Sequence, residues 1–205
     1  MSAPAESAVG TEFSNPPAEP IELIRAWYDG AVAAGVLKPA PVALATADAN
    51  GHASTRMVSI LAIRDTGLVF ASHVGSRKGR EITETGWASG VWYWRELDRQ
   101  VIVSGPTHPL SAEDSDAIWA ARPVTALPMS VATRQSAVLE DEEELRSRAQ
   151  ELSRAGSELE RPATWLGYLL EPASVEFWQT SPDHLYPRLR YERTDSGWHV
   201  DRLQP

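Results

Sequence analysis

The spacing of apolar residues changes from a helical to a strand period early in the chain. In PIELIRAWYDGAVAAG, Ile24, Trp27, Tyr28 and Ala31 recur at intervals of three and four residues, which predicts an amphipathic helix ending near Gly35. The segments that follow are short, β-rich and separated by turn signals, as is typical of strands. These five segments are PVALATADA, STRMVSILAI, GLVFASH, ASGVWYW and QVIVSGPTHPL.

The connection between the first two predicted strands contains Asn50-Gly51, which suits a tight hairpin. Five strands at this spacing, meandering and largely antiparallel, favour a barrel or a sandwich over a parallel α/β sheet. We therefore predict a single α+β domain with a β-barrel core over residues 20–205. Residues 1–19, which are rich in Pro, Ser, Ala and Glu, are predicted to form a flexible tail.

Helical patterns interrupt the strands in the second half of the chain. Ser111 with Asp114 resembles a capping box that opens SAEDSDAIWAAR. In EDEEELRSRAQELSRAG, Leu145, Ala149 and Leu152 form an apolar stripe, and the acidic start suits a helix N-terminus. The strand pattern then returns in TWLGYLLEPASVEFWQ and LRYERTDSGWHVDRLQP, where TDSG predicts a hairpin turn.

Composition and charge exclude several classes of protein. The net charge of −9 argues against a nucleic-acid-binding protein, because phosphate backbones require a broad basic surface. The chain has no cysteine, which excludes disulfides and thiolate chemistry and is compatible with the cytoplasm, where we expect the protein. We predict no membrane span, because no apolar run approaches the ~20 residues required. The first residues do not form a signal-peptide pattern.

The motifs of common catalytic sites are also missing from the sequence. The five histidines form no HExxH and no pair on one helix face, so we expect no metal site. No GxSxG, Walker loop or GxGxxG is present, so hydrolysis, nucleoside triphosphates and a Rossmann site have no support.

A cluster of cations follows the predicted strand GLVFASH. The stretch SHVGSRKGRE places Arg77, Lys78 and Arg80 among glycines and serines at a strand-to-helix turn. The N-terminus of a helix favours an anion, to which an arginine adds a bidentate fork and a lysine a point charge. A phosphate site and a solvated start of a helix both explain this stretch when it is considered alone.

Other polar and aromatic residues suit the same ligand. Arg56 lies within a predicted strand and needs a partner if it points inward. Amides, a hydroxyl, an aromatic ring and a further guanidinium follow along the chain, and together with a phosphate anchor they match the needs of flavin mononucleotide (FMN). These are Gln100, Gln135, Ser136, Trp178 and Arg188.

The order of these motifs resembles that of the pyridoxamine 5′-phosphate oxidase family. The motifs are TRMV, FASHVGSRKGRE, RQV, RP, RQS, EFWQ, RLRYER and W…RLQP, and the resemblance covers about residues 40–205. It implies an FMN-binding split β-barrel with peripheral helices and an obligate homodimer with FMN at the subunit interface. The implied cofactor-binding residues are Arg56, Met57, Val58, Ser59, Ser72, Arg77, Lys78, Gln100, Gln135, Ser136, Trp178 and Arg188.

The sequence departs from the vitamin B6 oxidases of this family where those bind their phosphorylated substrate. Leu61, Ile118 and Ala126 stand where the resemblance implies a lysine, a tyrosine and a serine, and His184-Leu185-Tyr186 replaces an RxH pair. Arg122 alone is retained, and apolar residues cannot replace the lost charge. The resemblance thus implies a wider, more apolar pocket in which Arg122 binds a substrate carboxylate, beside His184 and Tyr186.

Longer segments are more similar to the phenazine-biosynthesis branch of the family. These are LATAD, DTGLVFASHVGSRKGRE, WASGVWYWRE, LPMSVATRQS and LRYERTDSGWHVDRLQP. This branch implies an FMN-dependent oxidase that dehydrogenates partially reduced phenazine carboxylic acids, with dioxygen as the electron acceptor. The flavin carries the chemistry, and no catalytic acid or base is evident. Trp119 and Trp165 suit either core packing or the wall of a flat substrate pocket.

Three alternatives remain open on the sequence alone. One is a pyridoxine 5′-phosphate oxidase, which the missing phosphate ligands disfavour. Another is a reductase of the wider split-barrel group that uses a nicotinamide or deazaflavin donor. The third is a flavin-binding protein without turnover.

Overall fold

The computed structural model describes residues 10–154 and 159–205, which form one curled antiparallel sheet with helices around it. The strands are β1 (Pro41–Ala47), β2 (Ala53–Ser59), β3 (Ala62–Arg64), β4 (Gly67–His73), β5 (Trp87–Trp94), β6 (Arg99–Pro109), β7 (Trp165–Leu170), β8 (Ser174–Gln179), β9 (Arg188–Thr194) and β10 (Gly197–Leu203). The helices are α1 (Pro20–Ala33), α2 (Arg77–Thr85), α3 (Ala112–Ala120), α4 (Leu127–Ala132) and α5 (Glu142–Ser153).

Part of the sheet closes on itself as a barrel. Each strand in the order β1, β5, β6, β7, β4 and β3 is hydrogen-bonded to the next. Strand β2, which pairs with β1, runs through residues 60–61 directly into β3, so the chain itself completes the ring. Strands β8, β9 and β10 extend the sheet outward from β6. The predicted barrel-centred α+β fold is confirmed.

Strand β6 belongs to both parts of the sheet because it changes partners along its length. Its first half pairs with β8 and its last residues pair with β7. Gly105 lies at the change, where a Cβ atom would be 1.9 Å from the Glu171 carbonyl oxygen and 2.7 Å from the Ala173 nitrogen. Only glycine allows the β7–β8 connection to cross so closely.

The core lies between the barrel and α1 and is dominated by aromatic rings. Trp27 of α1 is 3% exposed and packs edge-on against Phe177, with the ring centroids 5.2 Å apart. Trp92 and Trp94 are equally buried and stack at 5.7 Å. Burying each such side chain contributes about 1.5–3 kcal/mol, so these contacts fix the barrel on which the candidate site is built.

Part of the predicted N-terminal tail packs against this core. Residues 1–9 lie outside the described residues. Phe13 is 2% exposed and lies 6.1 Å from the Trp27 ring. Tyr191 donates a hydrogen bond to the Pro17 carbonyl (3.0 Å), and the Trp198 indole donates one to Glu19 (2.9 Å). Residues 10–19 therefore contact the core despite their polar composition, and the predicted division into a tail and a domain stays a prediction.

The predicted helices are confirmed. Helix α1 ends at Ala33, and Gly35 follows with a left-handed φ of 77°. Ser111 caps α3 by accepting a hydrogen bond from the Asp114 nitrogen at 3.0 Å. Helix α5 carries the predicted acidic first turn. No helix among residues 10–154 and 159–205 is long and apolar enough to span a membrane.

The strand boundaries differ from the sequence prediction in two places. The first hairpin has a five-residue loop, residues 48–52, in which Asp48 accepts hydrogen bonds from the Asn50 and His52 nitrogens. The predicted strand STRMVSILAI is two strands. The Ile60 nitrogen donates a hydrogen bond to the Ala40 carbonyl, just before β1, whereas the Leu61 nitrogen donates one to the Val69 carbonyl of β4. The chain there passes from one sheet neighbour to another.

Candidate cofactor and substrate site

The turn between β4 and α2 forms the base of the candidate site. Ser76 caps α2, and its buried hydroxyl accepts a hydrogen bond from the Gly79 nitrogen at 3.1 Å. A Cβ atom at Gly79 would lie 2.5 Å from the carbonyl oxygens of both His73 and Val74. This glycine therefore lets the first turn of α2 approach the end of β4.

Lys78 lies in this turn with its ammonium turned inward. The residue is 7% exposed, and its Nζ donates hydrogen bonds to Ser72 Oγ (3.0 Å), Gln135 Oε1 (3.2 Å) and Ser76 Oγ (3.5 Å). Burial, with the charge of Arg56, lowers the pKa of Lys78. All of these partners are neutral, so an anion bound here would stabilise the buried charge.

Glu81, one turn along α2, holds two more of the predicted cofactor-binding residues. Its carboxylate accepts hydrogen bonds from Arg77 Nε (2.8 Å) and Arg56 NH2 (3.3 Å). Hydroxyls of Thr46 (2.5 Å) and Ser54 (2.6 Å) also donate to it. Burial alone would raise the pKa of Glu81, but the hydrogen bonds from Ser54, Thr46 and Arg77 together lower it to about 2.

The predicted amide and hydroxyl after α4 reach the same turn. Gln135 accepts from Lys78, and Ser136 Oγ accepts a hydrogen bond from the Arg77 backbone nitrogen at 3.2 Å. Ser136 has a left-handed φ of 70°, a costly conformation for a residue with a side chain. The structure therefore brings Ser72 and four other predicted residues into one cluster, the α2 cluster, defined as Ser72, Arg77, Lys78, Gln135 and Ser136.

A cleft of about 670 Å³ opens beside the α2 cluster. Its lining includes Ser72, Gln135 and Ser136 of this cluster, together with Arg122 and Trp165. The outer wall comes from the start of α5 and the segment before it. Three predicted cofactor-binding residues of the α2 cluster and Arg122 thus line a single cavity, whereas Arg77 and Lys78 do not line it.

Arg122 is the only predicted substrate-binding residue that lines this cleft. Its guanidinium carbon lies 5.0 Å from the ring centroids of both Trp119 and Trp165, and NH2 donates to Ser130 Oγ at 3.0 Å. NH1 is buried without a hydrogen-bond partner among the described residues. Burial lowers the pKa of Arg122, although a guanidinium stays charged in proteins.

His73 lies in the same cleft and was not predicted. It is 8% exposed, and its Nδ1 is 3.2 Å from Thr164 Oγ1. Burial lowers the pKa of His73, and the charges of Lys78 and Arg122 lower it further, against an opposing hydrogen bond to the Ser130 carbonyl. The imidazole is therefore neutral at pH 7.

Three other predicted cofactor-binding residues lie together elsewhere on the sheet. Gln100 of β6 is directly opposite Trp178 of β8, which is opposite Arg188 of β9, so all three share one face. Arg188 is held by Glu176 through two hydrogen bonds of 2.8 and 3.0 Å, which raise the pKa of Arg188. We call these three the β8 group, and none of them lines the cleft.

The replaced RxH pair lies beside the β8 group. Tyr186 packs against Trp178 with ring centroids 5.8 Å apart, and its hydroxyl is 2.8 Å from His184 Nδ1. Both residues have left-handed φ angles, 60° for His184 and 47° for Tyr186. Such strain in non-glycine residues is common at functional sites.

The remaining predicted residues are spread over other surfaces. Met57, 63% exposed, lies with Val58 and Ser59 on β2 at one end of the main strand order. Leu61 lines a separate depression of about 240 Å³ beside α1. Ile118 packs near Trp119 and Trp165, and the Ala126 carbonyl accepts a hydrogen bond from Ser130 (2.9 Å). Their predicted roles in cofactor and substrate binding stay predictions.

Comparison with protein families identifies the fold. Residues 28–154 match the family described as pyridoxamine 5′-phosphate oxidase, and residues 165–205 match the pyridoxine 5′-phosphate oxidase C-terminal dimerisation region. The chain belongs to the pyridoxamine 5′-phosphate oxidase family. The predicted family is therefore confirmed, and membership implies a flavin-binding barrel. The dimerisation region contains Trp178, Arg188, His184 and Tyr186.

Individual relatives come from both branches of the family. The dihydrophenazinedicarboxylate synthase of Burkholderia lata is 46% identical over 194 residues, covering 95% of this chain and 92% of the relative. A pyridoxine/pyridoxamine 5′-phosphate oxidase of Paraburkholderia phytofirmans is 40% identical over 189 residues, covering 91% and 89%. The crystal structure of PhzG from Burkholderia lata in complex with tetrahydrophenazine-1-carboxylic acid superposes with a TM-score of 0.96 at 44% identity, covering 98% of this chain and 100% of that one.

Proposed function

We propose that this protein is an FMN-dependent oxidase of phenazine biosynthesis. It dehydrogenates partially reduced phenazine mono- or dicarboxylic acids and passes the electrons to dioxygen. The observation that carries the proposal is the shared cleft, which is lined by Arg122 and by Ser72 and Gln135, the two residues to which the buried Lys78 donates hydrogen bonds. Its likeness to a phenazine-pathway synthase and to PhzG supports the same substrate class. The cytoplasmic location stays a prediction.

The residues at the start of α2 fit the phosphate of FMN. Arg56, Arg77 and Lys78 contribute three positive charges, and ionised Glu81 offsets one of them. The remaining two charges match a phosphate dianion, to which the helix N-terminus and the Ser72 hydroxyl add donors. When bound, FMN would supply the redox chemistry by accepting a hydride equivalent.

The β8 group fits the same cofactor through a second subunit. Its amide, indole and guanidinium do not line the cleft, but Trp178 and Arg188 lie in the C-terminal dimerisation region. We therefore propose a homodimer in which one chain supplies the α2 cluster and its partner supplies Gln100, Trp178 and Arg188. In this arrangement His184 and Tyr186 would approach the substrate from the partner's side.

The chain's own residues would bind and orient the substrate rather than exchange protons with it. Arg122 binds a carboxylate in the cleft. The neutral His73, which also lines the cleft, adds no charge beside it. Leu61, Ile118 and Ala126 provide no positive charge, so a phosphorylated pyridine lacks the cations that a dianion requires. This composition favours a flat, multi-ring carboxylate over pyridoxine 5′-phosphate.

An anaerobic titration tests the proposal. The purified flavoprotein is mixed with a dihydro- or tetrahydrophenazine carboxylate while the flavin absorbance is recorded, and air is then admitted. We expect the band to bleach and then recover, with peroxide formed, and we expect pyridoxine 5′-phosphate to leave it unchanged. Bleaching by the vitamin phosphate would establish the B6 oxidase instead. Bleaching only by a nicotinamide or deazaflavin donor would indicate a reductase, and no bleaching at all a flavin carrier.

A further inference from the structure

We propose that Trp119 and Trp165 act as a clamp that fixes Arg122 to select a singly charged carboxylate on a flat ring. The inference rests on the proposed function and names how the substrate end of the cleft recognises its ligand. Trp119 and Trp165 would be positioning residues, since they act through Arg122.

The two indoles form a rigid corner around the guanidinium. Trp119 and Trp165 are 5% and 4% exposed, and their rings meet edge to face with centroids 5.0 Å apart and an interplanar angle of 73°. The Trp119 indole nitrogen donates to the Leu159 carbonyl at 2.9 Å, which prevents that ring from turning. Arg122 lies over both rings at 5.0 Å. Cation–π contacts are strongest at desolvated sites such as this one.

Of the two terminal nitrogens of the guanidinium, NH2 has a hydrogen-bond partner and NH1 has none among the described residues. Ser130 Oγ donates its only proton to the Ala126 carbonyl, so it accepts from Arg122 NH2. NH1 has no partner among the described residues and is shielded from water. A buried donor on a charged group costs free energy until a hydrogen-bond acceptor reaches it. A ligand oxygen entering the cleft would provide that acceptor.

The charge around the clamp limits the ligand group that contacts Arg122 to one negative charge. His73 is neutral, and Lys78, which does not line the cleft, donates hydrogen bonds to Ser72 and Gln135. The rest of the charged lining contributes no net positive charge, because it contains two arginines and three carboxylates. These are Arg134, Arg148, Glu140, Asp141 and Glu144. Arg122 therefore balances a carboxylate but not a phosphate dianion.

A pair of oxidised ligands that differ only in the carboxylate tests the clamp without turnover. The FMN-loaded protein is titrated with phenazine-1-carboxylate and with phenazine, and each Kd is measured from the change in flavin absorbance. We expect the wild-type protein to prefer the carboxylate by about tenfold or more. Arg122→Gln should bring the ratio of the two Kd values close to one.

The tryptophan variants separate positioning from packing. Trp119→Leu and Trp165→Leu should lower the carboxylate preference several-fold while the Kd of phenazine changes little, and Trp119→Phe should keep most of it. Trp87→Leu is the matched control, because Trp87 is 48% exposed on β5 and should leave the ratio unchanged. If the leucine variants do not fold, the same comparison is made with Ser130→Ala, which frees NH2 and should also lower the ratio.

Several results would overturn the clamp. An unchanged ratio in folded, FMN-loaded tryptophan variants would show that Arg122 needs no support. Equal weakening of both ligands would show that the indoles only fill space. If the wild-type protein oxidised reduced phenazine carboxylates but bound phenazine-1-carboxylate and phenazine with equal Kd values, the clamp alone would be refuted. Failure to bind or oxidise any phenazine would refute the proposed function as well.

Discussion

Lys78 is the residue whose charge depends most on an anionic ligand, because it is buried among neutral partners. We expect Lys78→Met to weaken FMN binding by about tenfold or more, since a hydrogen bond to a charged group is worth roughly 1.5–3 kcal/mol. Arg80→Ala is the control, because Arg80 is exposed on the same turn and donates to the Gly75 carbonyl. Flavin absorbance per chain, with circular dichroism for the fold, measures both. Unaltered FMN content in Lys78→Met would refute the phosphate assignment.

Glu81 makes the stability of the protein dependent on pH in the acid range. Its folded-state pKa of about 2 lies below the ordinary value of 4.5, so its contribution is present above pH 4.5 and is lost as the pH falls towards 2. The contribution at neutral pH is on the order of 3 kcal/mol. We expect the free energy of unfolding in urea to fall between pH 6 and pH 3 more steeply for the wild-type protein than for Glu81→Gln. Parallel pH profiles would contradict this assignment.

At the residue scale, the sequence reveals charged motifs better than the partners that hold them. The cation cluster is conspicuous because Arg77 and Lys78 are adjacent in an acidic chain. Glu81 carried a weaker signal, its spacing of four residues from Arg77 on a helix. His73 gave none, because its role as a cleft residue depends on Thr164 and Arg122, which are remote in the sequence.

At the scale of elements, the two glycines of GSRKG have different structural requirements. A Cβ atom at Gly79 would meet two backbone carbonyls at 2.5 Å, whereas one at Gly75 would meet nothing within 4 Å. We expect Gly79→Ala to destabilise the protein by ~1–3 kcal/mol and to reduce FMN content, because α2 must move away from β4. Gly75→Ala should be close to neutral in both measurements, urea unfolding and flavin content. Equal effects of the two substitutions would mean that α2 does not need this close approach.

The sequence predicts which segments form strands and helices better than it predicts which strands pair with each other. The alternating pattern of STRMVSILAI predicts a strand. It does not show where the chain changes its pairing partner, because both strands alternate with the same period of two residues. Nothing in the pattern marks residues 60–61, where the strand leaves β1 for β4. The same holds for TWLGYLLEPASVEFWQ, which divides into β7 and β8 around Pro172.

At the scale of the whole molecule, strand spacing limits the fold to a barrel or a sandwich, and the order of motifs decides between them. That order predicted the family, which the match over residues 28–154 confirms. It also predicted twelve cofactor-binding residues without showing how they group. In the structure they divide, because residues such as Lys78 and Gln135 meet at α2, while Gln100 of β6 lies beside Trp178 and Arg188 on the outer extension of the sheet.

This division leads to a prediction about heterodimers. If each site combines the α2 cluster of one chain with the β8 group of its partner, Lys78→Met and Trp178→Leu homodimers should both lose most activity. A heterodimer of the two variants, co-expressed with different tags and purified through both, would carry both lesions in one site and none in the other. It should therefore recover about half of the wild-type FMN content and oxidase activity per dimer. If each site were built within one chain, every site in the heterodimer would carry a lesion, so recovery no greater than in the parent homodimers would refute the shared site.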